Sequence, residues 1–315
     1  MQRYLAKRVA HGLVVIYVVA TVVFLAVRSV PGDPARLLLG GDARPSAIEA
    51  LREQMNLDEP VHVQYINWMT DITQGDLGTS FFSNQPVLEM IVGVIEPTLS
   101  IGTLGMLIAV SIALPAGIIS ALRRYQPEDY VATILAFLGL SMPEFWIGIL
   151  LVLVFATTPI PIYGYTAISQ GLVSWLSHII LPAIAVGVPY GAILMRMVRS
   201  SMLEVMSEDY VRTARAKGLD ENLVVFKHGL QNALIPVVTV AGILFAVLLG
   251  GVVAVELVFG VSGFGRLLIG SIQRRDFPVI QGSVITISFL FVGMNLVIDF
   301  VYTLINPQIR YGGES

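Results

Sequence analysis

Cysteine is absent from the chain and lysine nearly so, with three in 315 residues. Without thiols there is no disulfide, thiolate metal site or cysteine nucleophile. The lysines follow Ala6, Ala216 and Phe226, so none completes a glycine-rich phosphate loop ending in Gly-Lys. By that route the chain cannot hydrolyse ATP itself. His11, His62, His178 and His228 are far apart and lack paired helical spacing, which argues against a metal centre. Gly263, Gly265 and Gly270 do not fit a dinucleotide fingerprint, and the glycine–serine run at 260–264 is not a nucleophile elbow. Charge is scarce as well, at 13% of residues, and no basic face points to a nucleic acid.

Apolar residues, in contrast, make up 55% of the chain, and the mean hydropathy of +0.78 is too high for a soluble domain of this length. A span needs roughly 20 apolar residues. Six runs meet that length: about Val9–Val30, Leu99–Leu122, Val131–Thr157, Ile179–Val198, Ile235–Phe259 and Val279–Ile305. The pattern predicts an all-α integral membrane protein of six transmembrane helices, with a small folded external segment after the first. The first run follows a basic end but is a full span without an evident small-residue cleavage site, so it reads as an uncleaved anchor. Twelve Lys and Arg residues fall on the side shared by both termini, and six on the other. That bias predicts cytoplasmic termini.

The expected divisions are 1–30 as the first span, 31–97 as the external segment, 98–305 as a five-helix core and 306–315 as a cytoplasmic tail. Within the core, 200–234 reads as a cytoplasmic loop and 259–278 as an external amphipathic hairpin. The external segment carries ten acids against three arginines and contains two helix patterns, beginning near Pro45 and Pro60.

The cytoplasmic loop concentrates charge where the rest of the chain has little. Its stretch "SEDYVRTARAKGLD" reads as a helix with Ser207 as N-cap, Glu208 and Asp209 in the first turn, and Glu208 paired to Arg212 four residues on. Tyr210, Ala214 and Gly218 fall on another face, where small residues admit a close neighbour. Gly218 reads as the helix stop.

Inside the spans, Glu144 lies near the middle of the third run, after Pro143. A carboxylate at that depth costs about 2.5–3.5 kcal/mol, so it should meet a wet pathway or a cation, or stay protonated against a neighbouring helix. Asp299 is expected to form a structural ion pair with Arg196 or Arg199, and Glu256 to snorkel or bond the glycine-rich turn beyond it. Gly242, Ala246 and Gly250 form a stripe at four-residue spacing, as Gly187 and Gly191 do, suited to a pore seam or to helix packing. The two halves show no repeat typical of secondary transporters, and no channel filter is visible.

The stretch "EDYVRTARAKGL" followed by "HGLQNALIPVVT" resembles the signature loop of the membrane subunits of binding-protein-dependent ATP-binding-cassette importers. More narrowly, it resembles the dipeptide, oligopeptide and nickel permease group. Further matches are "VPGDPA" at 30–35, "GDLGTSF" at 75–81, "SMPEFW" at 141–146, "HIILPAI" at 178–184, "RMVRSSMLEV" at 196–205, "RRDFPVIQG" at 274–282 and the run at 295–311. The resemblance implies a type I importer transmembrane domain in a bacterial inner membrane, with no cofactor of its own. Glu208, Asp209, Tyr210, Arg212, Ala214, Ala216 and Gly218 would form the coupling helix of a non-catalytic subunit. ATP and magnesium would be held by two partner ATPase subunits. A second permease subunit and an extracytoplasmic binding protein would complete the assembly, and di- or oligopeptides are the expected solute. Nickel chelates, glutathione, opines and oligosaccharides use similar subunits. Gln231, Ser262, Asn306 and Gln308 depart from the usual pattern.

Overall fold

A computed structural model describes residues 2–30, 32–40 and 43–305. Regular structure there is helical, apart from an isolated bridge between Thr79 and Pro86. The helices divide into two compact units, residues 1–96 with 262–292 and residues 97–261 with 293–315.

The first unit holds α1 (Gln2–Ser29), the short helices α2 (Pro34–Leu39), α3 (Pro45–Gln54) and α4 (Val61–Thr73), the start of α5 (Val87–Leu122), α13 (Phe264–Arg274) and the start of α14 (Phe277–Ile305). Prolines at 34 and 45 open two of the short helices, where a missing N–H costs nothing. Asp33 caps α2 by accepting from Ala35 N at 3.0 Å. Arg52 bridges this cap to the loop after α3, through Asp33 at 3.0 Å and Asp58 at 2.9 Å. Phe24 on α1 is fully buried, with its ring 5.1 Å from Tyr65 and 5.2 Å from Trp68 on α4. Asp276 is buried and accepts from Ser80 Oγ at 2.5 Å and Phe81 N at 3.1 Å. This carboxylate joins the "GDLGTSF" turn to the "RRDFPVIQG" stretch, motifs almost 200 residues apart in sequence. The expected external hairpin is instead a single amphipathic helix, α13, ending on Arg275 in the left-handed region.

The second unit is organised around α8 (Leu172–Met206), which packs against α6 (Pro127–Ser141), α7 (Glu144–Phe155) and α11 (Gln231–Gly251). Small residues let α5 approach α8 closely. Gly187 leaves so little room that a Cβ there would stand 2.6 Å from the Gly105 carbonyl, and one at Gly117 would stand 2.7 Å from Val198. Gly105, Ala109, Ala113 and Gly117 follow at four-residue spacing along this seam.

Among the described residues, five helices are long and apolar enough to cross a membrane, with a sixth span if α6 and α7 form one broken crossing. The sequence predicts a continuous third run, Val131–Thr157; the two helices instead meet at 101°. Pro143 supplies no N–H, and its ring forces the preceding Met142 out of helical geometry to φ −100°, ψ 124°. The second span begins at Val87 rather than Leu99, and α8 extends the fourth in both directions. The fifth apolar run also breaks, at Val252, before α12 (Val253–Val258).

Candidate functional site

Between α8 and α11 the chain leaves the apolar core for α9 (Asp209–Ala216) and the short α10 (Glu221–Leu223), then a seven-residue π-helical stretch, Val224–Leu230, leads into α11. The connection is therefore tighter than the expected loop of 200–234. Glu208 rather than Ser207 occupies the N-cap, without a side-chain cap, and Ser207 ends α8. Asp209 in the first turn and Arg215 in the last complement the helix dipole. The predicted Glu208–Arg212 pair is replaced by Asp209–Arg212 at 3.6 Å.

Two residues anchor α9 to its own chain. Val211 and Ala214 are buried with Val224, and Met206 packs against them. The Tyr210 hydroxyl donates to the His228 carbonyl at 3.4 Å, and Asn232 Nδ2 donates to that hydroxyl at 3.1 Å. The side of α9 bearing Tyr210 and Ala214 thus meets the π-helical stretch, and Gly229 there is buried beside Met206. Glu208, Asp209, Arg212, Thr213, Arg215, Ala216 and Lys217 remain exposed, as do the apolar Leu219, Leu223 and Phe226. Gly218 adopts φ +75°, a left-handed stop that a residue with a Cβ reaches only with strain. Beyond it Arg215 pairs with Glu221 at 2.7 Å, and Asp220 caps Asn222 N at 2.9 Å. Hydrogen bonding to Glu221 raises the Arg215 guanidinium above its ordinary value.

A buried polar node lies on α8 just before this region. Asp129 is 3% exposed and accepts from Arg199 Nε and Nη2 at 2.7 and 2.9 Å, Ser120 Oγ at 2.5 Å and Tyr125 N at 3.0 Å. Arg199 thus pairs with Asp129, a partner that the sequence reading missed. The Asp299 side chain lies outside the described residues, as do Asn306, Gln308, Arg310 and the 306–315 tail. Asp129 could have been suspected from its place in a "PED" turn beside two arginines, Arg123 and Arg124.

The pathway candidates occupy several environments. Glu144 is not mid-helix: it is the first residue of α7, immediately after the break, and is half-buried between exposed neighbours. Gly242 packs directly on Ile298 and borders an apolar groove of about 290 Å³ that Thr103, Leu107, Phe245 and Met294 also line. Ala246 is buried, whereas Gly250 is exposed with open space before it. The stripe therefore does not form one seam; Gly187 and Gly191 do, against α5. Glu256 does not snorkel. It is fully buried, its carboxylate accepts from Thr98 Oγ1 at 2.5 Å, and its carbonyl accepts from Val261 N in the turn beyond. Among the described residues no cluster of three His, Asp or Glu side chains could hold a metal ion.

Comparison with known proteins gives consistent matches along the chain. Residues 113–311 match the family described as binding-protein-dependent transport system inner membrane component, and residues 1–102 match the corresponding N-terminal family. A probable peptide ABC transporter permease protein from Sinorhizobium fredii is 42% identical over 98% of this chain and 99% of its own length. A glutathione transport system permease protein from Salmonella choleraesuis is 44% identical over 99% of this chain and all of its own. The inward-facing MetNI methionine ABC transporter matches in fold with a TM-score of 0.55 at 16% identity, covering 70% of this chain and 97% of that one. A family match over well more than half the sequence, with near full-length relatives above 40% identity, shows that this multi-span protein belongs to the binding-protein-dependent transport system inner membrane component family and is an ABC importer permease subunit.

Proposed function

We propose that the chain forms half of the solute pathway of an ATP-driven importer, and that α9 with its flanking turns is where partner ATPase subunits grip it. The observation that carries this reading is the exposure of α9: two apolar anchors point inward, while Glu208, Asp209, Arg212 and Ala216 face out on a helix set between two spans. Ala214 holds the helix from its buried side, Tyr210 tethers it from an exposed position and Gly218 ends it. ATP and magnesium belong to two ATPase subunits, and this chain supplies no catalytic group. A second, related permease subunit forms the other half, and an extracytoplasmic binding protein delivers the solute to the 31–97 and 259–278 regions.

The relatives are named for peptide and glutathione transport, which supports a small peptide-bonded solute, a di- or oligopeptide or a molecule of glutathione size. The pathway is assigned to the wall around Pro143 and Glu144, where the break in the third crossing opens the backbone. Gly242 and Ala246 serve helix packing, and Gly250 faces open space. Both termini are placed on the cytoplasmic side of a bacterial inner membrane.

Copurification of the full chain with its ATPase subunits is the direct test. Arg212→Glu combined with Ala216→Trp, both on the outer face, should abolish transport-coupled ATP hydrolysis while insertion stays normal. Transport in membranes lacking any ATPase would sink the proposal. Gly218→Trp is a poorer probe, because φ +75° strains any side chain at that position whatever docks there.

A further inference from the structure

In the first unit a cavity of about 420 Å³ lies among the end of α1, the loop after α3, α4, the turn before α5 and the start of α14. Its size falls in the range of small-molecule sites, roughly 300–1,000 Å³. Trp68, Phe81 and Phe277 give it apolar walls, and Arg28, Asn84 and Gln281 give it polar ones. No described residue lining it is acidic, although the 31–97 segment carries ten acids.

The nearby acids are engaged elsewhere. Asp33 and Asp58 hold Arg52, Glu59 accepts from Asn67 at 3.3 Å, and Asp276 holds Ser80 and the Phe81 amide. Arg28 therefore has no carboxylate partner among the described residues. It donates Nε and Nη2 to Gln64 Oε1 at 3.0 and 2.8 Å, Nη1 to the Phe24 carbonyl at 3.4 Å, and lies 3.5 Å over the Phe24 ring. A guanidinium carries five N–H groups, so one remains on each terminal nitrogen, a fork that matches a carboxylate. These contacts hold the half-buried cation in place, yet all its acceptors are neutral.

Gln281 adds a second observation. It is 3% exposed, it forms part of the cavity wall, and its Nε2 has no hydrogen-bond partner among the described residues. Buried donors are normally satisfied. Its terminal torsion is broad for an amide, so this donor can turn at little cost.

We infer that this cavity binds a small solute through a free carboxylate, with Arg28 taking the carboxylate and the aromatic walls covering an apolar side chain. Only the solute's name, the C-terminal end of a short peptide, rests on the importer reading; the pocket and its charge do not. The site gives the external unit its own contact with solute.

Calorimetric titration of the full chain in phosphatidylcholine nanodiscs tests this, using alanyl-phenylalanine and its C-terminal amide. The acid should bind saturably and the amide at least tenfold more weakly. Arg28→Gln should lower affinity for the acid at least tenfold and leave the amide unchanged. Equal affinity for the two ligands on the unaltered chain overturns the inference, and that comparison stands even if the variant fails to fold. A preference for the acid that survives in folded Arg28→Gln overturns it too. In nanodiscs containing phosphatidylglycerol the acid should still bind; displacement there would reassign the fork to a lipid headgroup and reject a solute site. Equal affinity for acid and amide on the unaltered chain, beside intact ATPase-driven uptake, would sink this inference alone. Absence of ATPase partners would leave the titration untouched and count only against the importer reading.

Discussion

At Asp129, near the start of α6, one carboxylate takes four donors from the end of α5, the turn after it and the far end of α8. Asp129→Asn puts an amide N–H against a guanidinium that is largely inside the protein. The expected cost is about 2–4 kcal/mol, read as a lower unfolding midpoint in detergent. Adding Arg199→Met should restore part of it, because an apolar pair leaves no buried charge behind. Gly218→Ala should cost about 1–2 kcal/mol from the left-handed backbone alone, and Gly218→Asn less, in the same unfolding measurement. The Arg215–Glu221 pair should not respond to rising pH. A raised cation stabilises fully below its unfolded value and loses that only as pH climbs through the folded one, so unfolding midpoints of wild type and Arg215→Gln should stay a constant distance apart from neutrality to about pH 10. Gly218 was legible in the sequence because glycine after a helical pattern has one common use. Asp129 was less so, since its partner stands 70 residues away and the arginines near it in sequence, Arg123 and Arg124, are not the one it pairs with.

The seam between α5 and α8 shows where pattern reading succeeds for elements and where it stops. Four-residue spacing of small residues is visible on both α8 and α11, but only the former meets a backbone; on α11, Gly242 meets the Ile298 side chain. Spacing states that a close approach is allowed and leaves open which neighbour takes it. Gly187→Val is expected to separate the helices, costing about 1–3 kcal/mol through overpacking and lowering yield of folded protein, whereas Gly250→Ala should be nearly silent in the same assay. The break between α6 and α7 was half legible. Pro143 was visible as a loosening point, yet an apolar run long enough to span conceals a 101° turn, because hydropathy carries no direction. The π-helical stretch after α9 left no trace in composition; its Gly229 lies buried beside Met206.

For the molecule as a whole, helical class and membrane residence follow from composition alone, because no soluble packing could cover so much apolar surface. The side of the membrane each loop occupies can be measured directly, since the chain has no cysteine of its own. Single cysteines at Ser46 and Ala216, both exposed, should react with impermeant reagents from opposite faces of the membrane. Three crossings separate them if α6 and α7 together make one; labelling from the same face would mean that the bent pair enters and leaves on one side. The length of α8 has a last consequence. At 1.5 Å per residue its 35 residues extend about 52 Å, against a hydrocarbon layer of about 30 Å. Some 20 Å of rod must therefore stand in water or headgroups, and α9 is mounted at one tip of it. Part of that overhang would set α9 apart from the bilayer surface, at the end of a helix that holds Pro182 and Pro189 within it.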